Sequence, residues 1–338
     1  MTLQVSDFDY DLPESAIAQQ AIDPRDSARL LVASTLDDRS ITDLPGLLDP
    51  GDLVVVNETR VRPARIIAIK DSGGTVEILL TKRRDIATWD ALLRPARRVR
   101  TGMKMTAGPL LITVLTDPVQ GAATITVEGD GDTDDLLPGV GQIPLPPYFH
   151  GHLDDDERYQ TIFAKTVGSA AAPTAALHFT PRLVAGLAER GVQIVAIDLE
   201  VGVDTFRPMG DGRVEDHLIH RERYSVPEAA ARSVAETRSR GSRVVAIGTT
   251  VVRTLETVVD DQGMVHGGIG ETDLFITPGH RFRSVDAMVT NFHAPRTTLL
   301  VMMAAVMGVR WRDVYEHALG ADYRFLSFGD AMFTEVSR

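Results

Sequence analysis

Short runs of alternating hydrophobic and polar residues fill the chain between about residues 61 and 141. Such runs are typical of β-strands, because successive side chains of a strand point to opposite faces of a sheet. Glycine, aspartate and proline separate the runs, as expected for tight turns. Several short strands at this spacing indicate a small β-barrel or β-sandwich. The clearest predicted strands are residues 64–69, 75–81, 110–115 and 123–128.

After about residue 144, hydrophobic strands alternate with amphipathic helices. The helices predicted at 181–190 and 227–240 each end at a glycine, and a hydrophobic strand follows each of them, at 193–201 and 243–248. Glycine favours the left-handed backbone conformation that ends a helix. The alternation is typical of a parallel sheet with helices packed against it.

The α/β pattern is present on both sides of the strand-rich segment, because a turn and a buried strand are also predicted at 51–57. We therefore predict the α/β fold class, with a main α/β domain and an inserted small β-barrel domain. The discontinuous main domain comprises residues 1–60 and 142–338, and the inserted β-barrel domain comprises residues 61–141.

The longest hydrophobic run is LLVMMAAVMGV, residues 299–309. It is too short for a bilayer, which needs about 20 residues, so we expect a buried helix. Its methionines can fill irregular gaps in a core. The first fifteen residues are acidic and lack the basic and hydrophobic regions of a signal peptide. We therefore expect no secretion signal, no membrane partner and a cytoplasmic location.

The 338-residue chain contains no cysteine, and its 35 basic and 47 acidic residues give a net charge of −12. The missing thiols exclude disulfides, zinc–thiolate sites, cysteine-bound iron–sulfur clusters and cysteine nucleophiles. The motifs GxGxxG, GxxxxGK and HExxH are also absent. His217 and His220 have a spacing that a metal could use, but no other ligand cluster accompanies them, so we predict no metal site.

Basic residues are concentrated in one segment of this acidic protein, residues 82–104. Such a segment can bind the phosphates of RNA, although most runs of charge simply face solvent. Both interpretations stay open on the sequence alone. The candidate phosphate-binding residues are Arg83, Arg84, Arg97, Arg98, Arg100 and Lys104.

The stretch GSAAAPTAALHFT, residues 168–180, has the features of a ligand-binding loop. Its small residues permit close approach of a ligand or of another backbone segment. Pro173 and Thr174 offer a rigid turn and a hydroxyl group. His178 precedes a predicted helix and could act as a general acid or base. A buried histidine beneath a turn is the alternative interpretation.

The stretch GTTVVRTLE follows a predicted strand and begins a helix. Backbone N–H groups and the hydroxyls of Thr249 and Thr250 therefore collect where an anion would bind. Arg253, on the same helix, could pair with a carboxylate in a bidentate manner.

Two more motifs place polar groups near the ends of predicted elements. In TNFHAP, Asn291 and His293 lie just beyond a short strand, where ligands bind in α/β domains. Near the C-terminus, YRFLSFGD alternates aromatic and polar residues and contains Tyr323 and Asp330.

These motifs together are similar to those of one family, in the same order along nearly the whole chain. The chain resembles the S-adenosylmethionine:tRNA ribosyltransferase-isomerases of queuosine synthesis. The stretches that carry the resemblance are FDYDLP, PRDSARLLV, GDLVVVNETRVRPAR, RYQTIFAK, GSAAAPTAALHFT, GTTVVRTLE, ITPGHRFRSVDAMVTNFH and YRFLSFGDAM.

The resemblance implies a reaction in which S-adenosylmethionine donates its ribosyl unit instead of its methyl group. The acceptor is the aminomethyl group of a 7-deazaguanine base at the wobble position of tRNA. The ribosyl unit is rearranged to an epoxycyclopentane, which gives epoxyqueuosine and releases adenine and methionine. The resemblance also implies an α/β domain with an inserted β-barrel, and no cofactor beyond the co-substrate. We expect a monomer whose partners are S-adenosylmethionine and tRNA.

This chemistry gives the candidate residues expected roles. The sulfonium acidifies the C5′ hydrogens, so a base must remove one of them, and His178 and His293 are the candidates. Asp330 or a histidine could protonate the departing adenine, and Arg253 could bind the methionine carboxylate. The residues expected to bind S-adenosylmethionine or the base also include Arg158, Tyr159, Gln160, Ser169, Pro173, Thr174, Glu200, Thr249, Thr250, Asn291 and Tyr323.

Two acidic residues depart from the family pattern. Glu200 stands where the family usually has histidine, and Asp204 lies in a segment that usually reads GAGTF. At Glu200 a neutral donor has become a charged acceptor, which could favour a cationic amine or the sulfonium. Two alternatives therefore stay open. One is a paralogue that uses S-adenosylmethionine on a free nucleoside or another small amine, and the other is a catalytically silent RNA-binding homologue.

Overall fold

A computed structural model describes residues 2–151, 153, 155–202 and 207–337 of the chain. The chain divides into two compact units. The first spans Met1–Thr59, Pro146–Thr166 and Ala172–Arg338, and the second spans Arg60–Leu145 and Val167–Ala171. The domain boundaries drawn from the sequence stay a prediction.

Nine of the described strands form one large sheet in the first unit. Its central strands are parallel neighbours, so their carboxyl ends lie along the same edge of the sheet. In spatial order, the strands are β16 (Gly268–Thr272), β14 (Glu222–Val226), β13 (Gln193–Leu199), β3 (Leu53–Asn57), β15 (Val244–Ile247), β17 (Ala287–Asn291), β18 (Ala331–Glu335), β1 (Arg29–Val32) and β2 (Asp37–Ser40).

Both faces of this sheet are covered by hydrophobic cores, which explains the continuous hydrophobic runs in the sequence. All five residues of β3 are buried. Leu53 and Val55 belong to one core, whereas Val54 and Val56 belong to the other. The strand predicted at 51–57 is therefore confirmed as a central strand of the sheet.

The helices agree with the sequence pattern in position. The hydroxyl of Thr180 accepts a hydrogen bond from the Leu183 N–H and so caps α3. The hydrophobic run at 299–309 is confirmed as a buried helix, α6. No helix among the described residues is long and hydrophobic enough to cross a membrane. The helices are α1 (Leu44–Leu47), α2 (Thr133–Leu136), α3 (Pro181–Glu189), α4 (Glu228–Ser239), α5 (Thr249–Val258), α6 (Thr298–Met307) and α7 (Trp311–Gly320).

The described part of the second unit contains a closed, six-stranded antiparallel barrel. Pairing of its first and fourth strands, β5 and β8, closes the barrel, and β11 pairs with β5 outside it. The fold class predicted from the sequence is therefore confirmed. The strands are β5 (Arg65–Lys70), β6 (Thr75–Arg83), β7 (Thr88–Arg94), β8 (Lys104–Ala107), β9 (Leu110–Val114), β10 (Ala122–Glu128) and β11 (Gly141–Gln142), and two further short strands of the chain are β4 (Thr59–Val61) and β12 (Thr166–Ser169).

Candidate active site

A cleft of about 590 Å³ opens at the carboxyl edge of the large sheet, just beyond β13, β15 and β17. The chain passes from β3 to β13 on one side and then returns to β15 on the other side of β3. Ligands of α/β proteins bind where the strand order reverses in this way. The described residues that line the cleft include no Asp, Glu, Lys or Arg.

The start of α5 forms one wall of this cleft. Gly248 precedes the helix with a φ of 93°, a conformation that favours glycine. The Asn57 side-chain amide donates to Thr250 Oγ1 across 3.4 Å, and Asn57 Oδ1 accepts from the Leu199 N–H across 3.1 Å. Asn57 thereby holds α5 against the ends of two neighbouring strands. Thr249 is 8% exposed and lines the cleft.

A hydrogen-bond network beside the start of α5 is centred on Asn291, the last residue of β17, because β17 is the strand next to β15. The Thr174 hydroxyl donates to Asn291 Oδ1 across 2.8 Å. Asn291 Nδ2 lies 3.4 Å from His178 Nε2 and 3.3 Å from the Asp330 carbonyl oxygen. Burial lowers the pKa of His178 to about 4. His178 is therefore neutral at neutral pH, and its Nε2 is occupied by the asparagine amide.

His293 lines the same cleft and is also neutral, since burial lowers its pKa to about 3. Its backbone is held on both sides: its N–H donates to the Tyr315 hydroxyl across 3.1 Å, and its carbonyl accepts from the Tyr10 hydroxyl across 2.6 Å. Its Nε2 lies 3.1 Å from Thr290 Oγ1. The other ring nitrogen has no hydrogen-bond partner among the described residues. His293 is thus a fixed imidazole with one nitrogen available to a ligand.

A second cavity, of about 270 Å³, lies beside the cleft. Ser327 lines both spaces, while His178, Arg158 and Phe328 line the second cavity. The hydroxyls of Tyr148 and Ser327 are 2.5 Å apart. Burial raises the pKa of Tyr148 to about 12. Ser327 therefore lies between the two cavities, with the protonated Tyr148 hydroxyl on the cleft side and the neutral His178 imidazole in the second cavity.

Several residues around the two cavities were not among the candidates predicted from the sequence. Ser327 lies inside the motif YRFLSFGD, so its polar position between two aromatic residues was a usable signal. Tyr148 and Arg25 carried no comparable signal in the sequence. Only the fold brings Tyr148 to the cleft and Arg25 to the second cavity.

The structure brings half of the predicted substrate-binding residues together. The remaining ones line neither the cleft nor the second cavity. The predicted residues that line the cleft are Pro173, Thr174, Thr249, Thr250, Asn291 and His293, and those that line the second cavity are Arg158 and His178.

Arg253 does not line the cleft, and its guanidinium already has three protein acceptors. Nη1 donates to Glu222 Oε2 across 2.5 Å, and Nη2 donates to the carbonyls of His220 and Thr272 across 3.0 and 3.3 Å. A ligand carboxylate on Arg253 would have to compete with the buried carboxylate of Glu222.

Asp330 and Tyr323 likewise have protein partners. The Asp330 carboxylate accepts from the backbone N–H groups of Arg29 and Arg324 and from the Arg324 guanidinium, at 2.8–3.1 Å. The Tyr323 hydroxyl donates to Asp38 across 2.6 Å, and the Arg29 guanidinium lies over the Tyr323 ring. In the structure, both side chains hold neighbouring segments together.

The other predicted residues lie outside the cleft lining. Tyr159 is completely buried, with its ring 5.5 Å from that of Phe328. Gln160 is 3% exposed and its carbonyl accepts from Arg25. The Glu200 Oε1 atom lies 3.9 Å from Nη1 of Arg223, a residue of β14. Two further positions are Ser169, which belongs to the second unit, and Asp204, which lies outside the described residues.

The basic segment of the second unit divides into paired and exposed residues. Arg83 forms ion pairs with Asp132 and Asp134 at 2.8 and 3.1 Å, and the hydrogen bond to Asp132 raises the pKa of Arg83. Arg84 pairs with Asp90 at 2.8 Å. Of the predicted phosphate-binding residues, four are exposed and form no ion pair within the described chain: Arg97, Arg98, Arg100 and Lys104.

Within the described residues, no group of three or more histidine and acidic side chains is placed to hold a metal ion. His217 and His220 belong to no such group among these residues.

Comparison with known proteins decides the family. A family model described as "Queuosine biosynthesis protein" matches residues 5–334. The chain belongs to this queuosine biosynthesis family. Proteins named S-adenosylmethionine:tRNA ribosyltransferase-isomerase are similar over almost their full length. The relative from Symbiobacterium thermophilum is 47% identical, and that from Moorella thermoacetica 46%; each match covers 98% of this chain and 99% of the relative.

A solved structure of the queuosine family agrees with this assignment. The crystal structure of S-adenosylmethionine tRNA ribosyltransferase from Thermotoga maritima has a TM-score of 0.55 and 35% sequence identity to this chain. The match covers 97% of this chain and 99% of the other. Family and fold therefore agree with the resemblance found in the sequence motifs.

Proposed function

We propose that this protein transfers the ribosyl unit of S-adenosylmethionine to tRNA and isomerises it, giving epoxyqueuosine-tRNA with release of adenine and methionine. The observation that carries the proposal is its 43–47% identity, over 98% of the chain, to proteins with that name. The cleft at the strand-order reversal supports it, because this is the ligand-binding position of α/β sheets.

The cleft has the chemistry that a sulfonium substrate requires. The described residues of its lining contribute no fixed cation to repel the sulfonium and no carboxylate to act as a competing nucleophile. Of the two candidate bases, His293 is better placed, since one ring nitrogen lacks a described partner. His178 is better placed as a positioning residue, because the Asn291 amide occupies its Nε2.

The proposed transfer balances without an oxidant or reductant. The substrate loses a proton from C5′ and the acceptor amine loses another, while the departing adenine gains one. The net result is the release of one proton. S-adenosylmethionine is consumed as a co-substrate, and the scheme requires no further cofactor.

The second cavity is the proposed site of the acceptor base. It adjoins the cleft through Ser327, and Phe328 offers an aromatic surface for stacking. Arg25 and Arg158 line this cavity as well, and two nearby cations favour the neutral form of an amine, which is the nucleophilic form. The exposed arginines of the barrel are proposed to contact tRNA phosphates.

One assay separates this proposal from its alternatives. The protein is incubated with S-adenosylmethionine and either tRNA bearing the aminomethyl-deazaguanine base or the free base, and adenine and methionine are measured by chromatography. We expect adenine release that depends on the modified tRNA. Release with the small acceptor alone, at rates insensitive to salt, would instead support the paralogue. Binding of tRNA without adenine release would support the silent homologue.

A further inference from the structure

The N-terminus of α5 presents an unfilled set of hydrogen-bond donors to the cleft. The first N–H groups of any helix lack partners within the helix. Gly248, at the N-cap, has no side chain that could cap α5, and no described residue outside the helix accepts from Thr249, Thr250 or Val251. By contrast, the Thr297 hydroxyl caps α6, which also begins at this cleft, by accepting from Leu300.

A second, independent observation concerns the side chain of Thr249. It lines the cleft and is 8% exposed, yet its hydroxyl has no hydrogen-bond partner in the described part of the chain. Polar side chains of residues this buried usually have a hydrogen-bond partner, whereas the Thr249 hydroxyl is open to the cleft. Next to it, Thr250 Oγ1 accepts from Asn57, so the Thr250 hydroxyl proton is available to another acceptor.

These donors fit an anion. No lysine or arginine among the described lining residues offers such an anion another partner. A helix N-terminus carries a partial positive charge and stabilises carboxylates and phosphates. S-adenosylmethionine has one anionic group, the carboxylate of its methionine part. Arg253, the cation expected from the sequence to bind it, is paired with Glu222 instead.

We propose that the N-terminus of α5, with the hydroxyls of Thr249 and Thr250, binds the methionine carboxylate of S-adenosylmethionine. The inference rests on the proposed function, since it requires this co-substrate in the cleft. It fixes the orientation of the ligand: the methionine end lies at α5, and the ribosyl unit extends toward His293, which follows the neighbouring strand β17.

The test compares S-adenosylmethionine with its decarboxylated form, which keeps the sulfonium, the amine and the adenosine. Dissociation constants are measured by calorimetry for the wild type and for Thr249→Val. We expect Thr249→Val to weaken the binding of S-adenosylmethionine by about tenfold, because one hydrogen bond to a charged group is lost. The affinity for the decarboxylated ligand should not change. Thr249→Ser, which keeps the hydroxyl, should restore the affinity.

Thr254→Val is the matched control on the same helix. The Thr254 hydroxyl is buried and donates to the Thr250 carbonyl within the helix, away from the cleft. Both ligands should bind this variant as they bind the wild type. An equal effect of Thr249→Val on both ligands, or none on either, overturns the inference. Wild-type protein that binds neither ligand and releases no adenine would overturn the proposed function itself.

Discussion

The guanidinium of Arg253 and the carboxylate of Glu222 form a buried ion pair whose closest atoms are 2.5 Å apart. Glu222 also accepts from the Gly202 N–H, and Arg253 also donates to the His220 carbonyl. The pair therefore fastens both ends of the segment between β13 and β14 to helix α5. Arg253, which the sequence motif suggests as a ligand-binding residue, thus has a structural role.

Removing one member of this pair should leave the other as a buried charge without its counter-ion. We expect Glu222→Gln to lower the free energy of unfolding by about 3 kcal/mol, measured by urea denaturation. The control is Arg39→Gln, at an exposed pair with Asp37, which should cost less than about 1 kcal/mol. Equal effects of the two substitutions would contradict the structural role of the buried pair.

The buried histidines should make stability depend on pH. His293 has a pKa of about 3 in the folded protein, below the ordinary value of about 6.5 in the unfolded chain. Between these values the unfolded state binds more protons, so stability falls as the pH falls from about 6.5 toward 3. His293→Asn should reduce the slope of the unfolding free energy against pH by about one proton in this window. Unfolding curves at pH 7 and pH 5 measure it, and an unchanged slope would contradict the burial of His293.

Asn291 should act by positioning its neighbours. In Asn291→Asp, the carboxylate can still accept from Thr174 but can no longer donate to His178 Nε2. We expect adenine release to fall by about tenfold or more, with a stability loss of about 1–3 kcal/mol. A negative neighbour should also raise the pKa of His178, which NMR titration of the imidazole can follow. Unchanged turnover and an unchanged titration would remove Asn291 from the scheme.

The exposed arginines of the barrel should determine how tRNA binding depends on salt. Replacing Arg97 and Arg98 with glutamine should reduce the slope of log Kd against log salt concentration by about 2, roughly one per phosphate contact. Filter binding at several salt concentrations measures the slope. Arg84→Gln is the matched control, because Arg84 already pairs with Asp90 and should change the slope less. A larger change in the control would place the tRNA contact elsewhere on the barrel.

The backbone at Gly248 should matter more than the space around it. A Cβ atom there would meet Ala175 at an ordinary 3.6 Å, but its φ of 93° is strained for any other residue. We expect Gly248→Ala to cost about 1–3 kcal/mol of stability and to weaken S-adenosylmethionine. Gly46→Ala, where no atom lies within 4 Å of the added Cβ, should be neutral or stabilising.

Local patterns in the sequence were enough to predict the fold class. The run of valines in β3 predicted a strand buried on both faces, because hydrophobic residues at every position leave no face for water. The alternating pattern of residues 64–128 likewise predicted the strands of a barrel or sandwich, and the observed ends differ from the predicted ones by at most two residues. These signals are local, since periodicity follows from the geometry of each element. The family was indicated by the motifs themselves and by their order along the chain.

Which side chains meet depends on the tertiary structure. Arg253 faces Glu222, 31 positions away in sequence, and the Tyr148 hydroxyl meets Ser327, 179 positions away. No local pattern encodes such pairs, because they depend on how strands are ordered in the sheet. The unfilled donors of α5 are of the same kind: the sequence showed a helix start with two threonines, but the packing determined that Thr250 binds Asn57 while the Thr249 hydroxyl remains open to the cleft. The sequence specifies the chemistry of each side chain. Its partner depends on the packing, which brings distant residues together and excludes water from around them.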